Sequence, residues 1–441
     1  MAVIAETSSD DGGSNGGDQN KKPKEVEKKP KEEENRNKKL KEKLSFSLPI
    51  PDDLTLSCFA LVPRCHYQAL SLVSSNFRDI IWSRDLYVKR SDLGRTESVL
   101  YAYIRLFPLE KPSWYILHRE PYRNLRNTVP SRLTLIDSLP PMPLGAAVVT
   151  IGSDIYVIGG QICGRPSAAM TLMDCKSHKY RLLPSMRMSR FRAGAGVVDG
   201  KIYVIGGCMV QLFYWVEVFD IKKQTWSGLG FPLLPKVETE YLTYEVMGKK
   251  IYLRGKISAY VFDPETLVLD HALLLGIHFP TAWHESSCVI DDMLFCMNPQ
   301  LLLRKYGLLG SQQGLVGLEG LPDHPILVYY PKRYVNRMRY LKGLQGFPAN
   351  MYLKECKLAN FGGNLVVLGT NQSRFNKCKG KKEVWCVEIS LERRGIDDIW
   401  GKVVDWSKVE SVAVVLTQFN CSPSIELCRT VTFVSLASRL S

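Results

Sequence analysis

The sequence has no CxxC pair, and its twelve cysteines, spread from Cys58 to Cys428, keep no regular spacing. That argues against paired zinc modules and against the disulfide framework of a small secreted scaffold. Histidine is scarce: there are seven, none in HxxxH or HExxH spacing, so metal catalysis has no local signature. No Walker or GxGxxG segment occurs, which removes the sequence basis for a phosphate loop, and the only GxSxG match, GGSNG at 12–16, lies in the charged tail with no strand before it or helix after it to make a nucleophile elbow. Three residues drawn from separate loops, such as His278, His284 and Glu285, are a combination that chance supplies. No stretch reaches the roughly 18 consecutive apolar residues that a spanning helix needs. The first twenty residues lack both the basic start and the apolar core of a secretory signal. The expected setting is the cytoplasm or nucleus, with most cysteines as buried thiols.

What is present is a chain of 441 residues, 45% apolar and 23% charged, with room for two or three folded units. The net charge is +14. Residues 1–43 hold eleven basic and ten acidic side chains, a net of +1, so +13 belongs to the rest. This tail has no aromatic residue and cannot bury enough apolar surface to offset the entropy of ordering, so it reads as disordered. Its lysine pairs read as a solvated charge run in preference to an import signal.

The composition changes at Leu44. In SLPIPDDLTLSCFALVP, acidic Asp52 and Asp53 precede apolar Leu54, Leu56, Phe59 and Val62, as in a short helix closed by Pro63. The next segment places Ala69, Leu70, Val73, Phe77, Ile80 and Ile81 at helical spacing, and Ser74, Ser75 and Asn76 offer a cap. Two or three short helices result. They carry more apolar surface than about 40 residues can bury alone, so the unit needs a partner surface.

After Pro143 the pattern becomes strand, tight turn, strand. AAVVTIGSDIYVIGG (146–160) recurs as AGAGVVDGKIYVIGG (193–207), with the double glycines 47 residues apart. Weaker copies begin at LTYEVMGKKIYLRG (242–255), SSCVIDDMLFCMN (286–298) and CKLANFGGNLVVLGT (356–370). A second hairpin is expected after each, clearest in WVEVFDIKKQT before Trp226. Four strands per unit at this period describe the blades of a β-propeller, with large aromatics packed between sheets. The repeats span about 144–190, 191–235, 240–275, 284–323 and 354–406.

LPIPDDLTLSCFALVPRCHYQALSLVSSNFRDIIWSRDLY resembles an F-box, and with the repeats behind it residues 44–441 resemble a plant F-box/kelch-repeat protein. The fold expected is mainly β: a kelch-type propeller of five or six blades over 93–441, preceded by a small all-α F-box over 44–92. A sixth blade would form if 411–416 and 430–435 supplied inner strands while 99–107 and 113–118 supplied outer ones. No edge would then stay unpaired.

The resemblance implies a non-catalytic substrate receptor of an SCF-type ubiquitin ligase. The F-box would dock on a Skp-type adaptor, and through it a cullin-based ligase, while the propeller selects a protein target. Carried over by position, the adaptor-facing residues are Leu48, Pro49, Leu54, Leu72, Val73 and Phe77, the last where many F-boxes have tryptophan. From the residues alone, some of these side chains would merely hold the helices together. No cofactor, metal or membrane is implied.

Basic residues exceed acidic ones over 102–133 (six to two), 300–345 (seven to two) and 374–394 (seven to three). Lys332, Arg333, Arg337 and Arg339 interleave with Tyr329, Tyr330, Tyr334 and Tyr340. That pattern suits a solvated insertion first, an acidic protein target second and nucleic acid last. The alternative to a ligase receptor is a propeller enzyme or nucleic-acid binder with a vestigial F-box, and adaptor binding separates the two.

Overall fold

In the computed structural model the described residues are 51–104, 112–117, 133–208, 214–229, 243–255, 257–272, 286–297, 326–329, 339–345, 347, 351–372, 382–394, 398–412 and 432–436. The charged tail, Leu48 and Pro49 lie outside them. The helical part contains α1 (Asp52–Leu61), a 3-10 turn (Arg64–His66), α2 (Tyr67–Leu70), α3 (Ser75–Trp82) and α4 (Arg84–Asp92). The Ser74 hydroxyl accepts from Phe77 N–H at 3.1 Å and the Ser83 hydroxyl from Leu86 N–H at 3.2 Å, so each starts a helix as an N-cap. Ser83 is why there is one helix more than expected. It ends α3 and opens α4, while the apolar spacing on its N-terminal side gives no sign of the break. Phe59, Ala60, Tyr67, Ile81 and Leu86 form the core of this unit.

The β part consists of six four-stranded antiparallel sheets and a small two-stranded hairpin. The first blade contains Ala147–Ile151, Asp154–Ile158, Met170–Asp174 and Lys179–Leu183, and the second Gly194–Val198, Lys201–Ile205, Val216–Asp220 and Thr225–Leu229. The third runs from Thr243–Met247 to Val268–His271, and the fifth from Met351–Phe361 to Asp398–Val412. The fourth extends from Ser287–Ile290 to Arg339–Tyr340, beyond the limit of 323 expected for it. Its last two strands lie after a long insertion that hid them from the repeat pattern.

Closure differs from the expectation of two strands from each end. A single C-terminal strand, Thr432–Leu436, pairs with Val99–Ile104, and Ser113–Leu117 and Leu133–Ile136 complete the sheet. The register runs from Val99 opposite Leu436 to Tyr103 opposite Thr432. Ser411 and Val412, expected in an inner strand, instead extend the 15-residue outer strand of the fifth blade. Leu133–Ile136 escaped notice because no neighbouring hairpin turn marks it.

Six apolar clusters fill the six seams between neighbouring blades. Between the first two, Ala147, Val149 and Ile158 meet Ala195, Ile202 and Phe219, and Trp226 packs on Phe219 at 5.0 Å. At roughly 1.5–3 kcal/mol for each fully buried aliphatic or aromatic side chain, these seams dominate the stability of the ring. Gly196 on an inner strand is required by space, because a Cβ there would stand 2.8 Å from Ile251 and Val246 of the third blade. Past this thin strand Tyr244 reaches from the third blade to the first, where its hydroxyl accepts from Val148 N–H at 2.6 Å.

Residues Pro51–Ser441, helices and blades together, form one compact unit. Of the nine cysteines described, six are buried. Burial holds the Cys175 and Cys288 thiols protonated and pushes Cys296 up to about 12. Among the described residues no helix is long and apolar enough to cross a membrane.

Candidate docking surfaces

The helical unit turns one side to the propeller and leaves much of the rest apolar. Its attachment starts with buried Arg90 on α4, which donates to Ala60 O at 3.1 Å, Val62 O at 2.6 Å and the Tyr67 hydroxyl at 2.9 Å. Its other guanidinium nitrogen pairs with Glu97, whose carboxylate also accepts from Arg64 N–H at 3.3 Å. Arg64, equally buried, donates to Cys175 O at 3.0 Å, and the Tyr87 hydroxyl donates to Lys176 O at 3.0 Å. Trp82 meets the His178 ring edge-on at 5.4 Å. Tyr101 donates to Cys175 O at 2.9 Å and stands 2.9 Å from His178 Nε2. The turn after Asp174 in the first blade is thus the seat of the helices. Asp174 makes it rigid by accepting from Lys176 N–H and the Ser177 hydroxyl.

On the rest of the helical unit, Leu54 is 56% exposed, Leu72 78% and Val73 62%. Leu61, Val88 and Leu93 are exposed as well. Such a density of large apolar side chains on about 40 residues marks an interaction surface. Phe77 differs from the other positions expected there: its ring stands edge-on to Phe59 at 4.8 Å, packed against the unit's own core.

Of the basic, tyrosine-rich cluster expected around residues 329–342, the described members are Tyr329, Arg339, Tyr340 and Lys342. Tyr329 is fully buried in the seam between the third and fourth blades, while Arg339 is exposed on the outer strand. Lys332, Arg333, Arg337, Tyr330 and Tyr334 lie outside the described residues, as do His278, His284 and Glu285. Among the described residues no group of three His, Cys, Asp or Glu side chains is placed to hold a metal ion.

Sequence reasoning missed the buried ion pair of Arg190 and Glu217, 3.0 Å apart and 1% and 0% exposed. Glu217 accepts from Arg187 N–H at 2.7 Å and from Met188 N–H at 3.0 Å. Arg190 donates to the carbonyls of Gly206, Tyr214 and Trp215. A lone acid inside the apolar run WVEVF was the available signal, because a charge inside a seam requires a partner. The pair fixes the loop from the first blade to the second against the second blade.

Two family models match: the F-box domain over residues 48–89, and the one described as FKB95, Kelch-repeats domain, over residues 114–340. A protein of Arabidopsis thaliana named for an F-box and kelch repeats is 45% identical over 98% of this chain and 100% of its own length. A kelch repeat-containing protein of the same plant is 40% identical, and an F-box/LRR-repeat/kelch-repeat protein 38%, each over 98% of this chain and the whole of its own. With capped helices around a small core of their own, a ring of six blades and relatives matched from end to end, the chain belongs to the plant F-box/kelch-repeat family.

Proposed function

We propose that this chain is the target-recognition subunit of an SCF-type ubiquitin ligase, its helical unit docking on a Skp-type adaptor and its propeller binding the protein to be modified. The observation that carries this reading is the exposure of Leu54, Leu72 and Val73 on a unit whose other side is bonded to the first blade. An apolar surface that the ring does not cover fits a permanent protein partner. Leu48 and Pro49 just before α1 belong to the same adaptor-facing set. The propeller supplies a rigid ring whose loops carry recognition, and its role is binding, without a reaction of its own.

Calorimetry of the full chain with a recombinant Skp-type adaptor tests this. Replacing Leu72 and Val73 together by Asp is expected to weaken binding about 100-fold, because interface anchors are typically worth roughly 1–3 kcal/mol each. The melting temperature of the propeller should stay as it is. Equal affinity of the variant and the parent chain would overturn the adaptor assignment.

A further inference from the structure

The strands of each blade have two ends, and the helices sit at one of them, on the turn after Asp174. At the opposite end of the first two blades lie residues 144–146, 159–169, 184–193, 206–208 and Tyr214, as the pairing of Ala147 with Ile158, Ile158 with Met170, and Met170 with Leu183 requires. These described residues include the exposed Arg165 and Arg187, the half-buried Arg192 and no acidic residue, while Arg190 is buried and neutralised by Glu217. The helix-bearing end of the same blades mixes Asp174, Asp199 and Asp220 with lysines.

This end is built as one platform. Residues 161–166 form the small hairpin Gln161–Ile162 and Arg165–Pro166. Gln161 N–H donates to Leu144 O at 2.8 Å, and Arg190 N–H to Ser167 O at 2.9 Å, so the hairpin is tied to the loops on both sides. Arg192 N–H donates to Gly145 O at 2.9 Å, joining those two loops directly. Gly159 and Gly160 at its base have φ of 64° and 87°, and a Cβ on Gly159 would stand 2.8 Å from Arg190 O. Beneath it, Glu217 fixes the backbone of Arg187 and Met188. Arg187 lies over the Tyr214 ring at 5.2 Å and donates to its hydroxyl. Ile162, 51% exposed, pairs with Arg165 across the hairpin, and Leu144, also exposed, pairs with Gln161.

We propose that this platform binds an extended acidic segment of a protein target, with carboxylates on Arg165 and Arg187 and an apolar side chain beside Ile162. The inference deepens the ligase reading by naming the face and the class of target. Charge complementarity selects an acid, and planar guanidinium groups on a fixed backbone suit carboxylates. The exposed apolar anchors are aliphatic, and Arg187 already covers the face of Tyr214. Nucleic acid, which requires open aromatic faces for stacking, fits less well.

The test is selection from a phage-displayed library of random 12-residue peptides on the full chain, followed by fluorescence polarisation of the enriched peptides. The expected peptides carry several Asp or Glu and an aliphatic residue. Arg165→Glu with Arg187→Glu should weaken them about 10- to 100-fold, and peptides with Lys in place of the acids should bind this variant better than the parent chain. Arg339→Glu on the fourth blade is the control and should change nothing. The proposal is overturned by an absence of enriched peptides or of acidic enrichment. It is equally overturned by loss through Arg339→Glu in place of the platform variant, or by a 12-nucleotide single strand that competes as strongly as the peptides. Unchanged melting of the double variant excludes misfolding. Adaptor affinity measured on the same samples keeps the two readings apart, since a chain that binds peptides and no adaptor defeats only the ligase assignment.

Discussion

The helical unit and the blade ring are held by different forces. Every seam of the ring is filled with apolar side chains, and Arg190 and Glu217 form a fully buried ion pair within it. The helices have one small core and are attached through Arg64, Arg90, Glu97 and Tyr87, polar groups that reach backbone carbonyls or one another. A large apolar interface tolerates the loss of one side chain, whereas a polar attachment depends on each group, because a stranded partner keeps its desolvation penalty. The contrast also explains the exposed leucines: the helices use polar groups to join the ring and keep apolar ones for another surface.

The severest way to break the ring is to remove residues 413–441 and with them Thr432–Leu436. This opens the edge of Val99–Ile104 and uncovers part of the closing sheet. A fall in melting temperature of about 10 °C or more is expected by calorimetry. Equal melting would mean that the last strand is an appendage.

Next in size is Arg90→Ala, which takes the donor from Ala60 O, Val62 O and the Tyr67 hydroxyl and leaves Glu97 only the Arg64 N–H. A cost of about 3–5 kcal/mol is expected, confined to the helices. Hydrogen exchange should rise over 52–92 while Asp154–Ile158 and Lys201–Ile205 keep their protection. A uniform rise would show that the two regions do not respond separately.

Glu245 tests the ring from the inside. Burial pushes its carboxyl from the ordinary 4.5 up to about 7, against the pull of the Ser287 hydroxyl that donates to it at 2.9 Å. A folded pKa above the unfolded one means that the protonated form favours folding. This contribution is complete below pH 4.5 and is lost as pH rises through 7. Glu245→Gln should therefore be more stable than the parent chain at pH 8, by on the order of 2 kcal/mol, with the gap closing towards pH 5. A pH-independent difference in urea titrations would contradict the assignment.

Smallest is Tyr87→Phe, which removes the bond to Lys176 O and keeps the ring beneath Arg64. About 1 kcal/mol of attachment should be lost, read as faster exchange of the Lys176 to Lys179 amides with the rest of the ring unchanged. No change there would place the attachment in Arg64 and the Trp82–His178 contact.

Much of this contrast was legible in the sequence, for physical reasons. Hairpin turns require positive φ, so Asp199 and Gly200, at 48° and 73°, announce themselves by residue type. The unbroken apolar run IYVI marks a strand buried on both faces. Closure was half legible: the N-terminal strands at 99 and 113 have strand composition, but their partner lies more than 300 residues away, and nothing local specifies a pairing of such range. That Leu54, Leu72 and Val73 are exposed while Phe77 packs on Phe59 was not legible, because side chains that face inward and outward look alike at helical spacing. Arg64, Arg90 and Arg190 were invisible as structural residues, since a basic residue reads as solvated until its carbonyl partners are assembled.

The pairing of Val99–Ile104 with Thr432–Leu436 also sets a timetable for synthesis. The first propeller strand leaves the ribosome 328 residues before its neighbour, the difference between 432 and 104. At about 5–20 residues per second, that is a wait of roughly 15–65 s with an open strand edge. The helices emerge earlier still, and their seat, the turn at Cys175 to His178, follows them by about 90 residues or roughly 5–20 s. The nascent chain therefore displays its apolar helices and an unpaired edge together, and holding chaperones have most to bind before the last strand arrives.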